Sequence, residues 1–299
     1  MYSQIAANKR KTWLLLFVFV VLAFITAYSA GLYYGDFTIT IGITIGAFIY
    51  ALFGYFSSAK VALSLSGAKP ISRQDNPRVY RMVENLTIAA GMPMPKVYIV
   101  NDPAPNAFAT GRNPENSHIA FTTGILDILD DSELQGVAAH ELSHVQNYDI
   151  RVMSTVMVLV VVIGLISDIF LRMMWFGGGR NRDDNGGNAF ALLGIVAMIL
   201  APIVAGLIKL AVSRRREYLA DASGALMTRY PDGLANALAK ISSSSRPMKR
   251  ANTSTAHLFL DNPMESAKKG ESLSFAGLFS THPPMKERIK RLNEMGSQL

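Results

Sequence analysis

Four apolar stretches, at residues 13–34, 39–56, about 152–175 and about 189–212, are each long enough to cross a bilayer as a helix, which takes roughly 20 largely apolar residues. They constrain the fold more than any other feature. Half of the 299 residues are hydrophobic and 17% are charged, too apolar for an ordinary water-soluble domain and too charged for membrane throughout. The first run follows Lys9, Arg10 and Lys11, as a cleavable signal peptide would. It lacks an A-x-A-like site and a second run follows within a few residues, so a retained anchor is expected. Loop 35–38 has no Lys or Arg, whereas the N-terminus and the stretch after Phe56 (Lys60, Lys69, Arg73) have several. The positive-inside rule then predicts a cytoplasmic N-terminus and a hairpin of the first two spans. A third span goes out and a fourth returns, ending before Arg214, Arg215 and Arg216. Asp168 and Arg172 fall near the far end of the third span, where they can reach the interface. Pro202 is a tolerable kink in the fourth. Between these spans, 177–188 is rich in Gly and Asn, and its Gly-Gly-Gly run lacks the Gly-Lys-Ser/Thr of a phosphate loop. A flexible external loop is expected there.

The net charge of +7 is concentrated at these helix ends, with no aromatic-interleaved basic groove, which argues against nucleic acid as a partner. There is no cysteine. Disulfides, thiolate zinc sites and cysteine nucleophiles are thereby excluded, and any metal must be held by His and carboxylate.

Two polar stretches remain. In 59–151, Asn76 can cap a helix with Pro77 at its first position, and Val79, Met82, Val83 and Leu86 form one apolar face ending before Gly91. Residues 96–100 read as a strand, with further strands at 104–110 and 118–122 joined by the turn-like 111–116. In 213–299 a helix is expected near 232–241, then a long polar loop, then a helix opening at Pro284.

Ser132, with Gln135 completing a capping box, is expected to start a helix holding His140-Glu141-Leu142-Ser143-His144. Residues four apart share a helical face, so both imidazoles can address one ion, with Glu141 alongside as general base. The apolar flanks Val137, Ala138, Ala139 and Val145 suit a buried helix. Two His do not complete a catalytic zinc site. Glu217 is the candidate third ligand. His144 precedes the third span by eight residues and Glu217 follows the fourth by five, so both are expected on one side, roughly 8–12 Å outside the hydrocarbon. Asp221, one turn beyond Glu217, can accept from the outer ring nitrogen of a ligating His. One zinc ion per chain is expected. His118 and His257 receive no role.

Ser213-Arg214-Arg215-Arg216-Glu217-Tyr218-Leu219-Ala220-Asp221 resembles the S-R-x-x-E-x-x-A-D signature of HtpX-type membrane proteases, relatives of the CAAX prenyl proteases. The resemblance extends to the paired N-terminal spans, Asn106-Ala107-Phe108-Ala109-Thr110-Gly111, the HELSH pentapeptide and Phe279-Ser280-Thr281-His282-Pro283. It implies a gluzincin core, zinc held by two His and a Glu, and bacterial quality control of misfolded or damaged membrane proteins. The chain is therefore expected to be an α+β membrane protein, with four transmembrane helices and a cytoplasmic zincin-like domain containing a small sheet. The expected division is an N-terminal hairpin (1–58), the domain with the HExxH helix (59–151), a second hairpin (152–212) and a C-terminal part completing the protease (213–299). By the same resemblance, His282 and Arg288 approach the substrate, where a cationic donor would stabilise an oxyanion. Asn106, Ala107, Phe108, Ala109 and Thr110 form an edge strand to which substrate backbone adds.

Two other readings stay open. Site-2-type intramembrane proteases also use HExxH with a later Asp, and Tyr230-Pro231-Asp232-Gly233 resembles their second motif, although here both motifs stand in polar sequence. A non-catalytic membrane scaffold or chaperone would have no need of Glu141.

Overall fold

The computed structural model of the protein describes residues 2–161, 206, 214–244, 246–249, 254–261 and 283–297. The loop 177–188, most of the third and fourth apolar runs, and His282 lie outside the described residues.

Helices α1 (Tyr2–Tyr34) and α2 (Phe37–Ser66) form an antiparallel hairpin. Gly35 turns the chain at φ 67°, and the Asp36 side chain accepts from the Thr38 amide to start α2. The pair is pinned by Thr40 Oγ1 donating to the Ala27 carbonyl at 3.1 Å and by the stacked Trp13 and Tyr55 rings. Its outer surface is apolar, with Leu14, Phe17, Ile25, Ile49 and Phe53 more than half exposed. Among the described residues, one helix, Thr40–Ser66, is long and apolar enough to cross a membrane. Helix α2 runs past Phe56, where the apolar run ends, because Ala59, Ala62, Leu63 and Ser66 recur on one helical face and are buried. Gly67, left-handed at φ 67°, stops it.

The chain then enters a four-stranded mixed sheet in the order β1-β2-β4-β3. Strand β1 (Ala68–Pro70) pairs antiparallel with β2 (Lys96–Val100), β2 parallel with β4 (Ser117–Thr122), and β4 antiparallel with β3 (Ala107–Gly111). The third strand therefore starts at Ala107, not at 104 as read from the sequence. Asn106 instead donates its amide to Thr122 Oγ1 at 2.8 Å, and Thr122 also accepts from the Ile125 amide of the next helix. Strand β1 carries no alternating pattern and exists because β2 offers it a partner.

Period-two alternation gives the sheet two buried faces. Val97, Ile119 and Phe121 pack on a layer made by α3 (Pro77–Ala89), α4 (Thr123–Ile128), α5 (Asp131–Gln146) and later helices. Val100, Phe108 and Ala120 pack on Ala62 and Leu63 of α2 and on Met153 and Met157 of α6, which spans 149–161. The C-terminal part returns to the first layer as α7 (Arg214–Thr228), α8 (Pro231–Ser243) and α9 (Met285–Gly296). Asn76 caps α3 with Pro77 at its first position, as the sequence predicts.

The cap of α5 is corrected. Asp130, not Ser132, takes the extended conformation and accepts from the Glu133 amide at 2.9 Å, while Glu133 returns to the Asp130 amide at 3.0 Å. Glu133 is also buried against Lys240 Nζ at 2.7 Å. That ion pair with α8 selects this register over the one built on Ser132 and Gln135.

Candidate metal centre

Helix α5 is buried on nearly every side, and glycines let its neighbours approach. A Cβ on Gly136 would stand 2.7 Å from the Leu234 amide of α8, and one on Gly224 would stand 2.9 Å from the His140 amide. The second contact brings α7 directly against the histidine-bearing turn. Glu217, Asp221 and Gly224 follow one another at helical spacing on the buried face of α7.

His140 and His144 lie one turn apart with ring planes at 90°, and their Nε2 atoms are 3.2 Å apart. Glu217 Oε1 is 3.6 Å from His144 Nε2, and its Oε2 is 3.9 Å from His140 Nε2. All three residues are buried, and their candidate donor atoms lie within 4.8 Å of one another. Each outer ring nitrogen faces a carboxylate. His140 Nδ1 is 3.0 Å from Asp221 Oδ1, and His144 Nδ1 is 3.1 Å from Asp149 Oδ2. A carboxylate there keeps the proton on Nδ1 and turns the Nε2 lone pair towards the centre.

This donor set fits zinc on three counts. Tetrahedral nitrogen and oxygen ligands at about 2.0–2.1 Å from zinc stand about 3.3–3.4 Å apart, against 3.2, 3.6 and 3.9 Å for the three donor pairs here. Imidazole and carboxylate are ligands zinc accepts. The charges also ask for a cation: Glu141, Asp149, Glu217 and Asp221 are buried around the imidazoles, and among the described residues the buried cations beside them are Arg216 and Arg288. Burial disfavours a charged His144, but the Asp149 hydrogen bond and the carboxylates of Glu217, Asp149 and Glu141 outweigh it and push that imidazole up to about 9. The place where His144 Nε2 points is therefore one where positive charge is stabilised.

Burial raises the Glu141 carboxyl above the usual range, helped by the like charge of Glu217 and opposed by His140, His144 and Arg288. At Asp221 the cost of burial is exceeded by the attraction of Arg288 and the hydrogen bond with His140, which hold it down at about 2. Arg288, fully buried on α9, donates Nε to Asp221 Oδ2 at 2.9 Å and Nη2 to Oδ1 at 2.7 Å. Its Nη1 is 3.7 Å from Glu217 Oε2. The guanidinium thus braces the carboxylates of α7 as a fork. The basic face of α9 splits accordingly, with Lys290 and Arg291 in exposed pairs to Glu294 and Glu287.

Strand β3 lies at the sheet edge, but its first half is already met by the chain itself. Phe108 bridges to Phe259, the Leu260 amide donates to the Ala107 carbonyl at 2.9 Å, and Asn106 Nδ2 donates to the Asp261 carbonyl at 2.7 Å. Further along, Ser154 Oγ lies 2.9 Å from Thr110 Oγ1 and 3.2 Å from the Gly111 amide. His118 rests edge-on against Tyr98, and His257 Nε2 sits 3.1 Å from the Met153 carbonyl.

Asp149 is the residue beside the candidate ligands that the sequence does not point to. It lies five residues after His144, beyond a non-helical turn, so no helical spacing connects the two. A carboxylate just ahead of an apolar run, close after HExxH, is the available signal.

Over residues 73–296 the chain matches peptidase family M48. It is 53% identical over 298 residues to a protein named Protease HtpX homolog from Tropheryma whipplei (strain TW08/27), covering 100% of this chain and 99% of that protein. A protein of the same name from Dictyoglomus thermophilum is 43% identical over 299 residues, covering 99% and 95%. Among solved structures, Ste24p of S. mikatae superposes with a TM-score of 0.51 at 15% identity, over 98% of this chain and 67% of that one, which is a likeness of fold. Agreement of sequence over the whole length leaves one placement: the chain belongs to peptidase family M48, among its HtpX-type membrane zinc metalloproteases.

Proposed function

We propose that this metalloprotease is a multi-pass membrane endopeptidase that cleaves misfolded or damaged membrane proteins beside the cytoplasmic face. His140, His144 and Glu217 hold its zinc, and Glu141 is its general base. The observation that carries this is the convergence of three buried donors from two helices, with a carboxylate behind each imidazole. Zinc supplies a Lewis acid that polarises a peptide carbonyl and acidifies water. Glu141 takes the proton of the attacking water and returns it to the leaving amine. Asp221 and Asp149 orient the two rings, and Arg288 holds Asp221. Together with His282, Arg288 also faces the substrate carbonyl in this reading. Substrate backbone adds along Asn106–Thr110, which requires the chain's own segment 259–261 to share or yield that edge.

The lipid bilayer is taken to surround four spans, two in the hairpin 1–58 and two in the hairpin 152–212, with 59–151 and 213–299 forming the cytoplasmic protease part. Supporting this are the apolar outer surface of the α1–α2 hairpin and the lysines and arginines at its cytoplasmic end. Because the chain has no cysteine, single substitutions report topology cleanly. In intact cells a membrane-impermeant maleimide is expected to label Asn185→Cys, and to label Gln74→Cys only after permeabilisation. Equal labelling of both would sink the orientation.

For the chemistry, the purified chain in detergent is expected to cleave an unfolded polypeptide, to stop on incubation with a chelator, and to recover with one equivalent of zinc. Cleavage indifferent to chelation would remove the metal from the reaction.

A further inference from the structure

His144 sits in the last turn of α5, where helices fray, and the turn that succeeds it is strained. Tyr148 adopts φ 60°, a left-handed conformation unusual for a residue with a side chain, and the chain turns at once into α6. Helix α1 clasps this turn from outside. Asn8 is 1% exposed, and its Nδ2 donates to the Asn147 carbonyl at 2.9 Å and to Asp149 Oδ1 at 2.8 Å. Lys9 Nζ lies over the Tyr148 ring, 4.5 Å from its centroid. The other oxygen of Asp149 is the one beside His144 Nδ1, and Arg216 Nη1 reaches Asp149 Oδ1 at 3.5 Å. Asn8 opens the buried stripe of α1, which continues through Thr12 to Leu15 and Leu16. A buried amide donor costs free energy unless its hydrogen bonds are made, and one of the two that Asn8 Nδ2 makes here ends on the residue that orients a candidate ligand. Asn8 also lies outside 73–296, the stretch matched to the family.

We infer that the N-terminal helix is part of the metal centre: Asn8 is a positioning residue that fixes Asp149, and Asp149 fixes the His144 ring. This rests on the reading of His144 as a zinc ligand. Zinc affinity then depends on α1 being seated against the α5–α6 turn, so the membrane anchor and the site are one mechanical unit.

The test uses the full-length chain in detergent, with zinc affinity measured by competition with a chromophoric chelator and site geometry by the visible spectrum of the cobalt-substituted protein. Asp149→Ala is expected to weaken zinc binding by about 10–100-fold, the usual effect of losing a partner behind a ligand, Asn8→Ala is expected to weaken it in the same direction by no more than that, and both are expected to shift the cobalt bands. In the Asp149→Ala background, Asn8→Ala is expected to add nothing, because the two act in series. Arg10→Ala, exposed on the same helix, serves as the unaffected control. Wild-type affinity and spectrum in Asn8→Ala overturn the inference, as do losses that multiply independently. His144→Ala separates the two readings. If it keeps wild-type affinity, the ligand assignment fails; if it loses zinc while Asn8→Ala does not, the assignment stands and the coupling falls. Should Asn8→Ala lose helicity by circular dichroism, Asn8→Gln, which keeps the amide but misplaces it, is read by the same criteria.

Discussion

Glu141→Ala is expected to lower peptide cleavage by at least about 10²–10⁴-fold, the usual contribution of a positioned acid–base group, with zinc retained at one per chain. The two outcomes belong together because Glu141 sits beside the donor set without being part of it. Glu141 is 2% exposed, and its carboxyl is held above the usual range by burial and by the charge of Glu217. That environment suits a group which must gain and release a proton during turnover. Glu141→Gln, which keeps shape and hydrogen-bonding capacity, is expected to be as inactive as the alanine variant. Zinc analysis beside a cleavage assay on an unfolded polypeptide reads both quantities. Cleavage at the wild-type rate would show that another group handles the proton and would reopen the non-catalytic reading.

Glu217→Ala is expected to act on the metal first and on the rate as a consequence. Deleting one of three ligands removes more affinity than the about 10–100-fold of an outer partner, so the variant should emerge from gel filtration in mild chelator without zinc. Wild-type chain should instead melt at higher temperature as free zinc rises, since a ligand bound only by the folded state stabilises it by mass action. The melting temperature of Glu217→Ala should be insensitive to zinc. There is also a cost independent of metal, because Arg288, buried completely, loses the carboxylate 3.7 Å from its Nη1. Glu217→Gln separates the two effects by keeping the volume and removing the charge. Unchanged zinc stoichiometry in both variants would exclude Glu217 from the site.

How legible each feature is in the sequence depends on the range over which it is specified. Asn76 and Pro77 announce the start of α3 because capping is settled within four residues. The segment 130–135 holds two competing boxes, one from Asp130 to Glu133 and one from Ser132 to Gln135, and local rules do not rank them. Lys240 does, by pairing from another helix with the buried Glu133. The extension of α2 through Ser66 is readable in the spacing of Ala59, Ala62 and Leu63 but is masked by Ser57, Ser58, Lys60 and Ser64 around them. Strand β1 has no local signature, because three residues ending in Pro are held by pairing and by nothing intrinsic.

The sequence by itself determined the helical face carrying His140 and His144, the neighbouring Glu141, and the apolar hairpin. Each follows from the fixed periodicity of a helix and from the number of apolar residues a bilayer requires. It also pointed to Glu217 and Asp221, since four-residue spacing on α7 is equally local once that helix has returned to the site. Only the tertiary structure decided that Asp149 backs His144, that Asn8 reaches Asp149 across 141 positions, and that Arg288 forks onto Asp221 across 67. The strength of those contacts comes from burial, which makes every polar group seek whatever partner packing brings within reach, and no spacing along the chain encodes who that partner will be.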